Sequence, residues 1–257
     1  MRFRPCIDIH NGHVKQIVGS SLNDNDSRAK DNFISEYDAG YYANMYKQDG
    51  LYGGHIILLN PSGSEYYDSD IKQAKKALEV FRGGMQIGGG VNSDNASDFL
   101  DMGASHVIVT SYVFRDGIID YQRLERLVGA VGREHVVLDL SCKNVNGSYY
   151  IVTDRWQKIT SEVLNKKLIK ELSKYCDEFL VHAVDVEGKA LGAEKAVVEI
   201  LGSYEDIKTT YAGGIHSMED IEFIQEHGGG KVDFTIGSAL DLFGGRIPYK
   251  LCALQQW

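Results

Sequence analysis

Two aspartates sit inside short apolar runs, Cys6-Ile7-Asp8-Ile9 and Val137-Leu138-Asp139-Leu140. A carboxylate among apolar neighbours is costly unless water, a ligand or hydrogen bonds meet it. Two such groups can give and take protons on one substrate. A Gly-Gly turn and then a small-residue turn follow each aspartate. After Asp8 come Gly88-Gly89-Gly90 and Thr110-Ser111; after Asp139 come Gly213-Gly214 and Gly237-Ser238. Glycine lets the backbone approach an oxyanion closely, and a following helix N-terminus adds N–H donors. Gly89, Gly90, Thr110 and Ser111 therefore form one candidate phosphate grip, and Gly213, Gly214, Gly237 and Ser238 a second. From Asp8 to Gly90 is 82 residues, and from Asp139 to Gly214 is 75. The similar pitch and order imply two half-domains of one design. Taken singly, each aspartate also reads as a loop cap and each Gly-Gly as a tight turn. The matched pair favours acid–base chemistry on a substrate with two phosphates.

Other polar residues cluster around the same segments. His182, Asp185 and Glu187 end an apolar run and are candidate substrate contacts. Trp156 follows the second aspartate and is placed to stack on a flat heterocycle. His10 is a candidate rim residue. Cys6, two residues from Asp8, should share its strand face. No zinc-type spacing of His and acid occurs, so no metal is expected.

These groups need rigid elements to hold them. Strands are expected near Arg4–Ile9, His55–Leu59, Met85–Ile87, His106–Val109, Val136–Leu140, Glu178–Ala183, Lys208–Tyr211 and Val232–Ile236. The runs are rich in Val, Ile and Leu without alternation, as parallel strands buried on both faces should be. Helical patterns fall between them at Ile71–Phe81, Tyr121–Val131, Thr160–Tyr175 and Met218–Glu226. Ser93-Asp94 and Ser217-Met218-Glu219-Asp220 look like helix starts. Eight βα units in 257 residues predict an α/β fold, one (β/α)8 TIM barrel with a two-fold half-barrel repeat, as a single domain over 1–257. Strands one and five would then face each other across the mouth. Gly19–Ser35 is the longest irregular stretch and is too polar to pack, as in a loop on an active-site rim. Gly228-Gly229-Gly230 has no counterpart in the first half and reads as a link into strand eight.

The net charge of -9 argues against a nucleic-acid or anionic-membrane partner. No apolar run approaches the ~20 residues of a membrane span. The four cysteines are scattered, as in reduced thiols of a cytosolic protein. No signal or transit presequence is evident, so a cytoplasmic location is expected, or a plastid one if a presequence has been trimmed.

These residues, in this order, resemble the phosphoribosylformimino-5-aminoimidazole carboxamide ribotide isomerases of histidine biosynthesis, and most closely their eukaryotic-type branch. The segments that carry the likeness are Arg4-Pro5-Cys6-Ile7-Asp8-Ile9-His10-Asn11-Gly12 with Val14-Lys15-Gln16-Ile17-Val18-Gly19, His182-Ala183-Val184-Asp185-Val186-Glu187-Gly188-Lys189, Tyr211-Ala212-Gly213-Gly214-Ile215 and Gly237-Ser238-Ala239-Leu240-Asp241-Leu242-Phe243-Gly244-Gly245. The resemblance implies a cofactor-free Amadori rearrangement of an aminoaldose with a phosphate at each end. It implies Asp8 as general base, Asp139 as general acid opening the ribose ring, and Trp156 stacking on the imidazole. A bisphosphorylated small molecule is the expected partner, bound by a monomer. The bacterial pattern has Thr-Asp where this chain has His182-Ala183, and an Asp where it has Leu58. His182 must then stand in for a hydroxyl. The rival readings are the sister cyclase of the same pathway, which carries a lysine where His10 stands, and a non-catalytic phosphosugar-binding barrel.

Overall fold

The computed structural model describes residues 1–17, 31–186, 191–255 and 257. In chain order the elements are β1 (Cys6–His10), β2 (His13–Ile17), β3 (Asp31–Ile34), α1 (Ala39–Gln48), β4 (Gly54–Leu58), α2 (Tyr67–Val80), β5 (Met85–Gly88), α3 (Ala96–Met102), β6 (Val107–Val109), β7 (Phe114–Arg115), β8 (Ile118–Ile119) and α4 (Tyr121–Val131). The second half has β9 (Val136–Asp139), β10 (Cys142–Val145), β11 (Ser148–Thr153), β12 (Lys158–Val163), α5 (Lys166–Leu172), β13 (Glu178–His182), α6 (Lys195–Gly202), β14 (Lys208–Ala212), α7 (Met218–His227), β15 (Val232–Phe234) and α8 (Tyr249–Leu254).

The barrel strands pair in parallel in the order β15-β14-β13-β9-β6-β5-β4-β1. A parallel bridge from Phe3 to Phe234 joins the two ends. The Arg4 N–H donates to the Phe234 carbonyl at 2.8 Å, and the Phe234 N–H donates to the Arg2 carbonyl at 3.0 Å. The sheet is therefore a closed (β/α)8 barrel. All eight expected strands are present, most of them a residue or two shorter at one end.

The strand pleat sorts side chains into two layers. Val136, Leu138, Val107, Val109, Phe179 and Val181 pack outward against the helices. Their neighbours Val137, Ile108 and Leu180 turn inward and meet Ile57 inside the barrel. Helix α4 shows how the outer layer is built. Asp120 caps it by accepting from the Arg123 N–H, and Leu124 and Leu127 are fully buried. Each such leucine stabilises the fold by about 1.5–3 kcal/mol. Ser217 and Asp220 form a capping box at the start of α7.

The barrel floor is polar. Arg4 donates through Nε to Asp233 at 2.7 Å and sits 3.5 Å from Glu178. Gln86 and Thr210 also donate to Glu178, at 3.0 and 2.7 Å. Gly53 leaves room for the guanidinium, since a Cβ there would lie 1.4 Å from Arg4 Nη1.

Several expectations need correction. The helix expected at Thr160–Tyr175 is only Lys166–Leu172, because Thr160 lies in β12. The irregular stretch Gly19–Ser35 includes the strand Asp31–Ile34, which pairs with β2; residues 18–30 lie outside the described set. Helix α3 starts at Ala96, not near Ser93, and Asn95 rather than Ser93 precedes it. The hairpins β2–β3, β7–β8 and β10–β12 were not foreseen. The Gly228-Gly229-Gly230 segment does link α7 to β15.

Candidate active site

A cavity of 680 Å³ opens at the C-terminal ends of the barrel strands. Alternate strand residues line it: Cys6 and Asp8 on β1, His55 and Ile57 on β4, Ile108 on β6, Asp139 on β9 and His182 on β13. Cys6 and Asp8 share a face, as their spacing predicts. Three strands separate β1 from β9 in each direction round the barrel, so Asp8 and Asp139 face the same space from opposite walls.

Each carboxylate is held by a polar residue from the segment that follows its strand. Gln16, on β2, donates Nε2–H to Asp8 Oδ2 at 3.2 Å. Ser141, just after β9, donates twice to Asp139 Oδ1, from its N–H at 2.8 Å and its hydroxyl at 2.6 Å. The Ser141 hydroxyl also lies 3.4 Å from His182 Nδ1. The ring of Trp156 sits 5.7 Å from that of His182, tilted by 46°. Three consecutive residues, Asp154, Arg155 and Trp156, have positive φ of 52°, 56° and 66°. Left-handed backbone at three non-glycine residues costs energy and recurs at ligand clamps.

The Gly-Gly turns match in conformation. Gly89 and Gly90 have φ of 105° and 73°; Gly213 and Gly214 have 112° and 74°. A Cβ on Gly89 would lie 2.2 Å from the Leu58 carbonyl oxygen. One on Gly214 would lie 2.1 Å from the Gly192 carbonyl oxygen. The two halves thus repeat a positive-φ backbone that L side chains rarely adopt, and one glycine of each pair also has no room for a Cβ. Gly89, Gly90, Thr110, Ser111, Gly213 and Gly237 all line the cavity. Gly214 and Ser238 are not among its lining residues. The Ser111 hydroxyl accepts from the Asp154 N–H at 3.0 Å.

Two candidates, Asp185 and His10, lie off the cavity, and a third is not among the described residues. Asp185 accepts from the Asn144 N–H at 2.5 Å and does not line the cavity, so its carboxylate ties down the β10–β11 hairpin. Glu187 lies outside the described residues. His10 is buried and also lies off the cavity.

Sequence reasoning missed Gln16, His55, Ser141, Arg155 and Lys158, all of which line the cavity. His55 had a signal, since it lies two residues before Ile57 on an inward-facing strand. Gln16 depended on β2, which no periodicity announced. Burial pushes the His55 ring down from 6.5 to about 3, with the His182 and Arg4 charges adding to the effect. It is therefore a neutral ring at the cavity floor.

Comparison with known proteins follows the same lines. The profile of the histidine biosynthesis protein family matches residues 2–247. The chain belongs to this family. A chloroplastic 1-(5-phosphoribosyl)-5-((5-phosphoribosylamino)methylideneamino)imidazole-4-carboxamide isomerase from Medicago truncatula is 52% identical over 254 residues, covering 97% of this chain and 80% of that protein. The isomerase of the same name from Yarrowia lipolytica is 43% identical, covering 98% of this chain and 96% of its own. That from Saccharomyces cerevisiae is 41% identical, covering 96% and 94%.

Proposed function

We propose that this chain is the histidine-biosynthesis isomerase its relatives are named for. It converts an aminoaldose carrying two phosphoribosyl groups into the aminoketose, by acid–base catalysis. The observation that carries the site assignment is the pair of aspartates on opposite walls of one cavity, with a matching Gly-Gly turn on each side between them.

In this reading one phosphate binds at Gly89, Gly90, Thr110 and Ser111. The other binds at Gly213, Gly214, Gly237 and Ser238. Backbone N–H groups can hold both without basic side chains, which suits an acidic protein. Holding both ends fixes the reacting ribose between the carboxylates and removes much of the entropic cost of reaching the transition state. Asp139 donates a proton to the ribose ring oxygen and opens the ring. Asp8 then takes the proton from C2′, and the enamine formed tautomerises to the ketone. Gln16 keeps the Asp8 carboxylate in one orientation. Trp156 stacks on the imidazole, and His182 contacts the substrate beside it. We read the protein as a monomer.

The relatives' printed names include a chloroplastic protein. For this chain we propose a reducing compartment, the cytoplasm or a plastid, which four buried free thiols suit. Among the described residues no helix is long and apolar enough to cross a membrane.

The test is turnover of the bisphosphorylated aminoaldose by the purified protein. Isomerisation with no ammonia present supports this function. Ammonia-dependent ring closure would support the sister cyclase instead, and binding without turnover a phosphosugar-binding barrel.

A further inference from the structure

Asp139, Ser141 and His182 form a connected row on the cavity wall, and Ser141 sits in the middle. It is fully buried. Its backbone N–H and its hydroxyl both donate to the same oxygen, Asp139 Oδ1. Two bonds to one oxygen stop the carboxyl group from rotating. Oδ2 is then the oxygen left for proton transfer, since Oδ1 accepts in the same way whether or not Oδ2 carries a proton.

A hydroxyl has a single hydrogen. Ser141 spends it at 2.6 Å on Asp139. Its 3.4 Å contact with His182 Nδ1 must then run the other way, with the imidazole N–H donating to the hydroxyl oxygen. Hydrogen bonds in catalytic sites are often long without substrate and tighten in the complex. The direction has a consequence for the ring. With the proton on Nδ1, a neutral His182 keeps Nε2 as an acceptor. His182 lines the cavity with Trp156 beside it, so this acceptor suits a substrate hydroxyl.

We propose that Ser141 is a positioning residue that locks the acid Asp139 and sets the tautomer of His182, so that the two act as one unit on the substrate. The proposal rests on the reading of Asp139 as the acid of the isomerisation. It adds a role for a residue that touches no reacting atom. It also explains how a histidine serves at this position: the ring is presented as an acceptor by a neighbour whose own proton is already committed.

The experiment has two readouts. In the first, 15N NMR of the histidine rings, at a pH where His182 is neutral, reports which ring nitrogen carries the proton. The wild-type ring is expected as the Nδ1–H form, and Ser141→Ala is expected to shift it toward Nε2–H. An Nε2–H ring in the wild type overturns the proposal without any variant. In the second, Ser141→Ala is expected to lower kcat by about 10–100-fold with KM changed less than about 3-fold. Combining it with His182→Ala should cost little more than the larger single loss, because the two act as a unit. Full additivity, or an unchanged kcat in Ser141→Ala, overturns the proposal. A wild-type protein that does not isomerise the substrate would instead sink the proposed function, so the two failures are distinct.

Discussion

Asp8 and Asp139 stand on β1 and β9, separated by three parallel strands in both directions round the barrel. No other spacing would bring two single residues face to face across the whole mouth. The relationship follows from duplication, since each carboxylate is the same feature of its own half. Their surroundings differ, however. Asp8 is held by the amide of Gln16 across a hairpin, while Asp139 is held by its near neighbour Ser141.

Gln16 should matter to turnover more than to folding. Gln16→Leu deletes the hydrogen bond that orients the Asp8 carboxylate while keeping a side chain of similar size in place. The expected result is a fall in kcat/KM of at least about 10-fold, with the thermal midpoint little changed. Steady-state kinetics and a melting curve check this; full activity would remove Gln16 from the account.

The glycine turns predict a contrast within one residue type. Gly89→Ala places a methyl 2.2 Å from the Leu58 carbonyl oxygen at a φ of 105°. It should destabilise the protein by at least about 1–3 kcal/mol and weaken substrate binding. Gly129 lies on the exposed face of the last turn of α4 with open space around it. Gly129→Ala should stabilise by about 0.5–1 kcal/mol and leave activity alone. Urea unfolding of both variants tests the pair.

The barrel floor is structural. Arg4 is the buried cation between Asp233 and Glu178. Arg4→Met leaves both carboxylates buried without it and should cost about 3–5 kcal/mol of stability. Gly53→Ala should cost stability through the same guanidinium, because the new Cβ needs its space. In folded protein at low temperature, kcat should be close to wild type. A large kcat loss there would mean that the floor takes part in the chemistry.

The His55 ring predicts a pH dependence of stability. In the unfolded chain the ring takes up a proton below its ordinary value of 6.5, whereas in the fold burial delays this to about 3. Stability from this group is therefore whole above 6.5 and falls by about 1.4 kcal/mol per pH unit below it. Burial also lowers His106, which acts in the same direction. His55→Gln should flatten the stability profile between about pH 6.5 and 4.5, measured by urea unfolding. An unchanged slope would show that the ring is protonated in the fold.

Much of this was legible in the residues themselves. The barrel strands could be read because parallel strands covered on both faces must be apolar throughout, as in Val136-Val137-Leu138. The two aspartates stood out for the same reason, as acids in those runs. The hairpins after β1 and β9 were hidden. β2, β10 and β12 interleave polar residues, as in Lys158-Ile159-Thr160-Ser161-Glu162-Val163, so they lack the continuous apolar run of the barrel strands and Thr160 reads as part of the helix that begins at Lys166. Gln16 and Ser141 depend on those excursions, and only their hydrogen bonds show what they hold. Asp185 shows what a strand-end position leaves open. Its place after an inward strand suggested the cavity, yet its carboxylate serves the Asn144 N–H of a neighbouring hairpin.

Turnover by Asp8→Asn and Asp139→Asn, each measured alone in ammonia-free buffer with the bisphosphorylated aminoaldose, decides whether the two carboxylates carry the proton transfers. Asparagine keeps the shape of each side chain but can neither give nor take the proton. Both variants are expected to bind substrate still, while kcat falls by at least about 10²-fold in each. Wild-type turnover in either variant would contradict that role.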